Sequence, residues 1–284
     1  MAIELRNVTK NFGKTVALNN VSVKFEENKI YGLLGNNGAG KSTMMSLITN
    51  RLFPTSGELL IDGEKIDNND KVLSQVFMMG ERNLFPEDMR VKLAFSTVAD
   101  FYPGFDKEKA KRLCEKFGLK TNKKITALST GYKSIFRLII ALCVDAKYLL
   151  LDEPVLGLDA LHRDMFYREL IEDFAENPRT IIVSTHLIGE VDGIVEHAVI
   201  IRDGDIIADA PVDELIEGAC CVTGPVNAVE AYIEGREVIS RRALGGLLSA
   251  SIVGSAEDVP EILEVQKLSL QDYFISLMEK EEAK

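Results

Sequence analysis

The chain reads Gly35-Asn36-Asn37-Gly38-Ala39-Gly40-Lys41-Ser42-Thr43 at one place, and this stretch decides the fold. It has the full pattern of a phosphate-binding loop, in which a glycine is followed by four residues and then by glycine, lysine and serine. An apolar run at 29–34 precedes the loop and predicts a buried strand, and residues 42–50 predict a helix after it. A strand, a glycine-rich turn and a helix in this order are the context that such a loop requires.

The residue types in this loop suit an anion. Glycines allow the backbone to turn tightly and bring its N–H groups close to a bound phosphate. The helix that follows adds unpaired N–H groups and the positive end of its dipole. We therefore expect Lys41 to reach the β- and γ-phosphates of a nucleotide and the hydroxyl of Ser42 to bind Mg²⁺. The alternative is a plain glycine-rich turn, which the full motif and its flanks disfavour.

Composition limits the classes of function. The 284 residues carry a net charge of −11, which disfavours a protein that grips nucleic acid through a basic surface. The apolar runs are too short to span a bilayer, so a membrane role requires a partner. The four cysteines have neither metal-site spacing nor a disulfide framework, and Met1 does not begin a secretory leader. These observations predict a cytoplasmic protein with reduced thiols.

A second motif lies at the end of an apolar run. Residues 148–151 predict a buried parallel strand that delivers Asp152 and Glu153 at its carboxyl end, where ligands bind in open α/β sheets. Asp152 can then hold Mg²⁺, and Glu153 can orient a water for attack on the γ-phosphate. Another predicted strand, 180–184, leads to His186, which is expected at the same edge with a γ-phosphate contact. The alternative is a core strand whose acids cap the next element.

The rest of the chain predicts further strands and helices. Phe12 lies in a predicted turn at 9–14, where an aromatic ring can stack on a nucleotide base, although a core or turn phenylalanine fits the spacing equally well. The other predicted elements are strands at 3–8, 16–25 (interrupted at Asn19-Asn20), 58–61 and 72–79, helices at 92–119 (broken at 102–105), 132–144, 160–176 and 211–216, a hairpin at 199–208, and a last helix at 269–278.

These motifs, in this order, resemble the nucleotide-binding subunits of ATP-binding cassette (ABC) transporters over residues 1–217. The matching segments are the phosphate loop, Leu149 to Glu153 as the Walker B strand with its catalytic glutamate, Leu158-Asp159 as the D-loop, His186 as the switch histidine, Phe12 as the adenine-stacking aromatic, and Leu128-Ser129-Thr130-Gly131-Tyr132 in the place of the signature Leu-Ser-Gly-Gly-Gln. A weaker match at 101–106 resembles bacterial exporter ATPases of the YtrB-like kind.

The resemblance implies a fold and a domain division. It implies an α/β fold of the P-loop NTPase (RecA-like) type, with a parallel-sheet core, an antiparallel β subdomain and a helical subdomain at about 86–145. Residues 218–284 predict a small C-terminal α+β extension. Its role is open between dimer contact and regulation.

The resemblance also implies a transport ATPase. Two ATP·Mg²⁺ would lie between two chains, alike or unlike, that close head to tail. Ser129 and Gly131 of one chain would cap the γ-phosphate bound to the other, and Asp159 would belong to the same nucleotide contact. The cycle of ATP binding and hydrolysis would drive a separate transmembrane permease through residues 80–91. The permease alone would hold the chain at the inner face of the cell membrane. No nucleic acid partner is expected.

Two departures from the family pattern bear on this expectation. Thr130 stands for a glycine and Tyr132 for a glutamine in the signature, which would alter closure of the dimer. The family's Q-loop glutamine falls at Gly80, with Glu81 as the neighbouring polar residue, which would alter coupling to the permease.

Two rival functions stay open. One is a soluble cassette ATPase that acts on ribosomes or DNA, although such proteins usually carry two cassettes or a long coiled-coil insertion. The other is a degenerate cassette that binds ATP as a regulatory ligand. The cargo, and export as against import, are not decided by the sequence.

Overall fold

The computed structural model describes residues 1–80, 84–86 and 88–279. In chain order the strands of these ranges are β1 (Ala2–Phe12), β2 (Thr15–Glu26), β3 (Ile30–Leu34), β4 (Ser56–Ile61), β5 (Glu64–Lys65), β6 (Val76–Met79), β7 (Tyr148–Asp152), β8 (Thr180–Thr185), β9 (His197–Arg202), β10 (Asp205–Pro211), β11 (Ala219–Pro225), β12 (Val238–Leu244), β13 (Leu247–Val253) and β14 (Glu264–Lys267). The α-helices are α1 (Lys41–Ile48), α2 (Asp70–Leu73), α3 (Val91–Phe101), α4 (Lys107–Lys116), α5 (Thr130–Cys143), α6 (Ala160–Glu176), α7 (Val212–Glu217), α8 (Val226–Ile233) and α9 (Leu270–Glu279).

A six-stranded sheet forms the centre of the molecule, in the order β10-β9-β3-β8-β7-β6. All neighbours are parallel except β10, which pairs antiparallel with β9. Every residue of β3, β7 and β8 is buried, which explains why their sequences are continuous apolar runs rather than alternating ones.

The register of this sheet brings the sequence motifs together. Leu34, the last residue of β3, lies opposite Thr185 of β8, and Asp152 of β7 lies opposite Ser184. The carboxyl ends of three neighbouring strands therefore meet at one edge, because parallel strands run in the same direction. The glycine-rich loop, the two acids and the histidine all follow from this edge.

Two apolar cores lie on opposite faces of the sheet. Leu149 and Leu151 belong to the core that α3, α5 and α6 cover, whereas Tyr148 and Leu150 belong to the core beneath α1. The alternation follows from the two-residue period of a strand. On the α1 side, a four-stranded antiparallel sheet in the order β2-β1-β4-β5 completes the second core.

The last part of the chain has a sheet of its own. Strands β12-β13-β11-β14 are antiparallel, and α8 packs on them around a small core that includes Val222, Val229 and Ile252. Helix α9 then returns to the main molecule, since Leu270 and Phe274 are buried in the large core beside Ile188. The boundary of a second domain at 217/218 stays a prediction.

The fold class predicted from sequence is confirmed, and the differences are local. The predicted turn at 9–14 is shorter because β1 continues to Phe12. Strand β2 extends across Asn19-Asn20, but the predicted interruption is present there as a register shift in the pairing with β1 and a φ of +50° at Asn20. The predicted strand 72–79 is wrong in its first half: residues 70–73 form α2 because the Asn69 side chain accepts a hydrogen bond from the backbone N–H of Val72 (3.3 Å). Among the described residues, no helix has the length and apolar character needed to cross a bilayer.

Replacing Phe274 by alanine tests whether the last helix belongs to the main core. Phe274 is 6% exposed, so its loss should lower the free energy of unfolding by about 3–5 kcal/mol. The control is Phe53→Ala, which removes a side chain that is 64% exposed. This variant should change the free energy of unfolding by less than about 0.5 kcal/mol. Urea unfolding followed by circular dichroism measures both variants, and equal midpoints would contradict the packing.

Candidate functional site

The glycine-rich loop between β3 and α1 lies tightly against neighbouring backbone. A Cβ atom at Gly35 would lie 2.4 Å from the carbonyl oxygen of Ile201, and one at Gly40 would lie 2.6 Å from that of Ala17. Gly40 also has a φ of +117°, a conformation that residues with a side chain rarely adopt. The loop is further fixed because Gly204 donates its N–H to the carbonyl oxygen of Ala39 (3.0 Å). Glycine is therefore required at both ends of this loop.

The start of α1 is suited to bind an anion. The helix begins at Lys41 after Gly40, and among the described residues no side chain caps its first N–H groups. The unpaired N–H groups and the helix dipole make this end electropositive. The predicted contact residues Ser42 and Thr43 both lie in this first turn. Ser42 is exposed and Thr43 is half-buried.

Lys41 is a buried cation at the centre of the site. Its side chain is 5% exposed, and its Nζ donates hydrogen bonds to the carbonyl oxygens of Gly35 (2.7 Å) and Asn36 (3.2 Å). The same Nζ lies 3.5 Å from Oε1 of Glu153. Burial lowers the pKa of the Lys41 ammonium, while Glu153 acts in the opposite direction. The ammonium is thus surrounded by oxygen acceptors from two different loops.

Asp152 connects the strand end to α1. Its Oδ1 accepts hydrogen bonds from the hydroxyl of Ser42 (3.1 Å) and from that of Ser184. The sequence analysis did not assign a role to Ser184, because a serine near the end of an apolar strand has no signal of its own. Its position opposite Asp152 in a parallel pair is what reveals it.

The Glu153 side chain has different partners from that of Asp152. Its backbone has a φ of +46°, which costs a residue with a side chain about 1–2 kcal/mol. This conformation places Oε1 at 2.9 Å from Nδ1 of His186, in addition to the contact with Lys41, and Oε2 accepts a hydrogen bond from the hydroxyl of Thr185 (3.4 Å). A left-handed residue held by so many contacts is typical of a functional site.

The structure brings five of the predicted residues into one cluster: Lys41, Ser42, Asp152, Glu153 and His186. His186 is 29% exposed and Glu153 is 12% exposed, so the cluster opens to solvent on the histidine side. Its donors and acceptors can hold a polyphosphate and one small cation. A hydroxyl and a carboxylate at hydrogen-bond distance fit Mg²⁺, which usually takes one or two protein oxygens and completes its shell with waters and phosphates.

A second group of predicted residues lies at the starts of two other helices. Ser129 precedes α5, and its hydroxyl accepts a hydrogen bond from the N–H of Tyr132 (3.3 Å). Asp159 precedes α6 and caps it by accepting a hydrogen bond from the N–H of His162 (3.0 Å). Gly131 lies close to the loop before α6, since a Cβ atom there would be 3.0 Å from the carbonyl oxygen of Gly157.

Two other predicted residues lie at the periphery. The ring of Phe12 is 48% exposed at the end of β1, with Nζ of Lys10 5.0 Å from its centroid. This exposure excludes the core alternative, while base stacking and a turn phenylalanine both stay open. Gly80 follows β6, and its carbonyl oxygen accepts a hydrogen bond from Arg137 (3.0 Å). Glu81 lies outside the described residues.

Comparisons with known proteins give consistent matches. A sequence profile described as ABC transporter matches residues 18–156. The ABC transporter ATP-binding protein YtrB of Bacillus subtilis (strain 168) is 31% identical over 215 residues, which cover 76% of this chain and 74% of that protein. The uncharacterized ABC transporter ATP-binding protein YcbN of the same organism is 30% identical over 299 residues, which cover 97% of this chain and 96% of that protein.

A solved structure supports the same relationship. It is a dimeric ATP-binding cassette in a post-hydrolysis state, bound to ADP and Pi. This chain superimposes on it with a TM-score of 0.65 at 25% sequence identity, and the match covers 74% of this chain and 98% of the other.

Replacing Ser184 by alanine tests the support of Asp152. The carboxylate would lose a buried charge-assisted hydrogen bond, so the free energy of unfolding should fall by about 1.5–3 kcal/mol. The control is Ser74→Ala, at an exposed serine whose hydroxyl donates to the carbonyl oxygen of Lys71. This variant should change the free energy of unfolding by less than about 0.5 kcal/mol. Denaturant titration measures both, and a Ser184 variant as stable as the control would show that Asp152 does not depend on this hydroxyl.

Proposed function

We propose that this chain, which belongs to the family of ABC transporter ATP-binding proteins, hydrolyses ATP to drive a separate membrane permease. The observation that carries the proposal is the contact of Glu153 with both Lys41 and His186 beside an open phosphate-binding loop. A cluster of one cation, one carboxylate and one imidazole at the mouth of such a loop suits phosphoryl transfer to water.

The loop and α1 would bind the phosphates. The backbone N–H groups at the start of α1 would face the phosphates at the electropositive end of the helix, and Lys41 would add a positive charge. Ser42 and Asp152 would hold Mg²⁺, since their oxygens are 3.1 Å apart. When bound, the metal neutralises charge on the phosphate oxygens.

Glu153 would act as the general base. Phosphate oxygens would compete with Glu153 for the Lys41 ammonium, so nucleotide binding would remove the cation that lies beside the carboxylate. His186 would keep the carboxylate oriented through its 2.9 Å contact and would itself reach the γ-phosphate. Glu153 would then orient a water and accept its proton.

A second cassette would complete the site. Ser129 and Gly131 lie at the start of α5 and Asp159 at the start of α6. The side chains of Ser129 and Asp159 accept hydrogen bonds from Tyr132 and His162 rather than from the loop cluster, which supports a role toward the nucleotide of another chain. Two apolar side chains lie exposed beside this group: Leu156 (44%) and Leu161 (67%). Exposed apolar residues of this kind are typical of a protein–protein surface. The partner would be a second copy or an unlike cassette, and Phe12 would stack on adenine in each.

An apolar groove would receive the permease. A cavity of about 300 Å³ lies between the end of β6, residues 84–86, Met89 and α3. Its lining includes Leu84 and Phe101, which are 69% and 77% exposed. A helix that lays an apolar face into a groove is a common mode of recognition. A permease segment would thus hold the chain at the inner face of the cell membrane.

The rival functions are less well supported. A net charge of −11 does not favour a role on ribosomes or DNA. The altered signature, with Thr130 and Tyr132, favours a degenerate regulatory cassette, but such a cassette has no need of the Glu153–His186 contact.

We further propose a nucleotide-binding domain at 1–217, with its helical part at about 86–145, and an accessory domain at 218–284.

The variant Glu153→Gln tests the role of the base. It should bind ATP within about threefold of the parent but hydrolyse it about 10²–10⁴-fold more slowly, which is the usual contribution of a general base. The control is Glu176→Gln, at an exposed glutamate at the end of α6, which should leave turnover unchanged. Phosphate release is measured with the chain alone and with its permease, and turnover of the Glu153 variant at the parent rate would remove this assignment.

The variant Phe101→Ser tests the groove. Loss of an exposed aromatic anchor should reduce co-purification with the permease at least about tenfold, since aromatic anchors often contribute 2 kcal/mol or more to an interface. The control is Leu244→Ser, which removes a side chain that is 83% exposed on the extension. Thermal melting shows whether both variants are folded. Equal recovery of the permease with both would place the partner surface elsewhere.

A further inference from the structure

His162 holds the carboxylate of Asp159 in a fixed position. The Nδ1 atom of His162 lies 2.9 Å from both Oδ1 and Oδ2 of Asp159, and its backbone N–H donates to Oδ1 as well. These hydrogen bonds lower the pKa of Asp159, with the backbone bond as the larger cause. Asp159 is therefore oriented by the side chain that follows it in the first turn of α6.

The same imidazole lies between two aromatic rings. Its plane is within 20° of that of Phe117, at a centroid distance of 6.3 Å, and the ring of Tyr132 meets it at 66° and 6.2 Å. Phe117 follows the last residue of α4 as its C-cap, Tyr132 lies in the first turn of α5, and His162 lies in the first turn of α6. One histidine thus joins three helices.

Tyr132 also holds Ser129. Its backbone N–H donates to the hydroxyl of Ser129, so the residue that contacts His162 through its ring contacts Ser129 through its backbone. A second connection runs beside it, because the hydroxyl of Ser134 donates to the carbonyl oxygen of Leu156 (3.0 Å). The starts of α5 and α6 are therefore linked through a ring contact and a hydrogen bond.

We infer that Tyr132 and His162 are positioning residues that hold Ser129 and Asp159 together as one unit facing the nucleotide of the partner cassette. The inference rests on the proposed function, since it takes Ser129 and Asp159 to face another chain. Tyr132 stands where the family signature has a glutamine, and a glutamine side chain has no ring to pack against the imidazole. The substitution therefore replaces a flexible polar residue by one that ties the signature to the D-loop.

If Tyr132 and His162 hold this unit together, replacing them should affect the association of two cassettes but not the affinity of a single chain for ATP. Among the described residues, the ring contacts and side-chain hydrogen bonds of Tyr132 and His162 join them to Phe117, Asp159 and each other rather than to the chain's own phosphate loop, so ATP binding to a single chain should not depend on them. ATP-driven association of two cassettes should depend on them, because Ser129 and Asp159 act only across the interface.

A double-mutant cycle tests the inference. The variants Tyr132→Gln, His162→Ala and the double variant are made in a Glu153→Gln background. Each is tested alone and mixed with any ATP-binding chain that co-purifies with the permease. Each single variant should raise the ATP concentration for half-maximal association roughly tenfold. The double variant should raise it by no more than about a further twofold, because the effects of mutations at residues in contact do not add. Sedimentation velocity measures association, and a fluorescent ATP analogue at low protein concentration measures binding to the single chain.

Two conservative variants complete the experiment. Tyr132→Phe keeps the ring contact and should associate like the parent. His162→Phe keeps the stack and the backbone hydrogen bond to Asp159 but loses the Nδ1 contacts, so it should fall between the parent and His162→Ala. Additive effects, or equal losses in single-chain affinity, would overturn the inference. If the parent associates and Tyr132→Gln associates equally well, only this inference fails. If the parent does not associate with ATP under any pairing, the proposed dimer fails and this inference fails with it.

Discussion

The buried ammonium of Lys41 is the point on which the site depends. It contacts two carbonyl oxygens of its own loop and the carboxylate of Glu153, so it joins the loop after β3 to the strand end after β7. A buried charge is costly unless it is paired and hydrogen-bonded. The loop and the acidic strand end therefore stabilise each other, and neither can shift without leaving a charge unpaired.

The sheet makes this contact possible. Strand β8 lies between β3 and β7, and it contributes Ser184 to Asp152, and Thr185 and His186 to Glu153. The left-handed backbone of Glu153 is strained, and its N–H is held by the carbonyl oxygen of Ser184 (3.1 Å). Strain of this kind persists only where surrounding contacts fix it, which the buried core beneath the strand ends provides.

The motifs predicted most of the fold and the loop cluster because they encode local chemistry. A glycine at a left-handed turn, a lysine after it and two acids after an apolar run each have a physical signature in sequence. Ser184 could not be found this way, because its role depends on strand register. The first half of the predicted strand 72–79 was wrong because a side-chain cap from Asn69 outweighed the apolar pattern. Helix α8, which packs on β11 and β13, was not predicted from the sequence. The roles of the site residues stay predictions.

The most direct test is a crystal structure of the chain with a non-hydrolysable ATP analogue and Mg²⁺. The account predicts that the triphosphate lies against the backbone N–H groups of residues 36–43, that Nζ of Lys41 has left Glu153 for the β- and γ-phosphates, and that Asp152 and Glu153 face the γ-phosphate across the metal. A structure in which the analogue binds elsewhere, or in which Lys41 keeps its contacts with Gly35 and Glu153 while the two acids turn away, would contradict it.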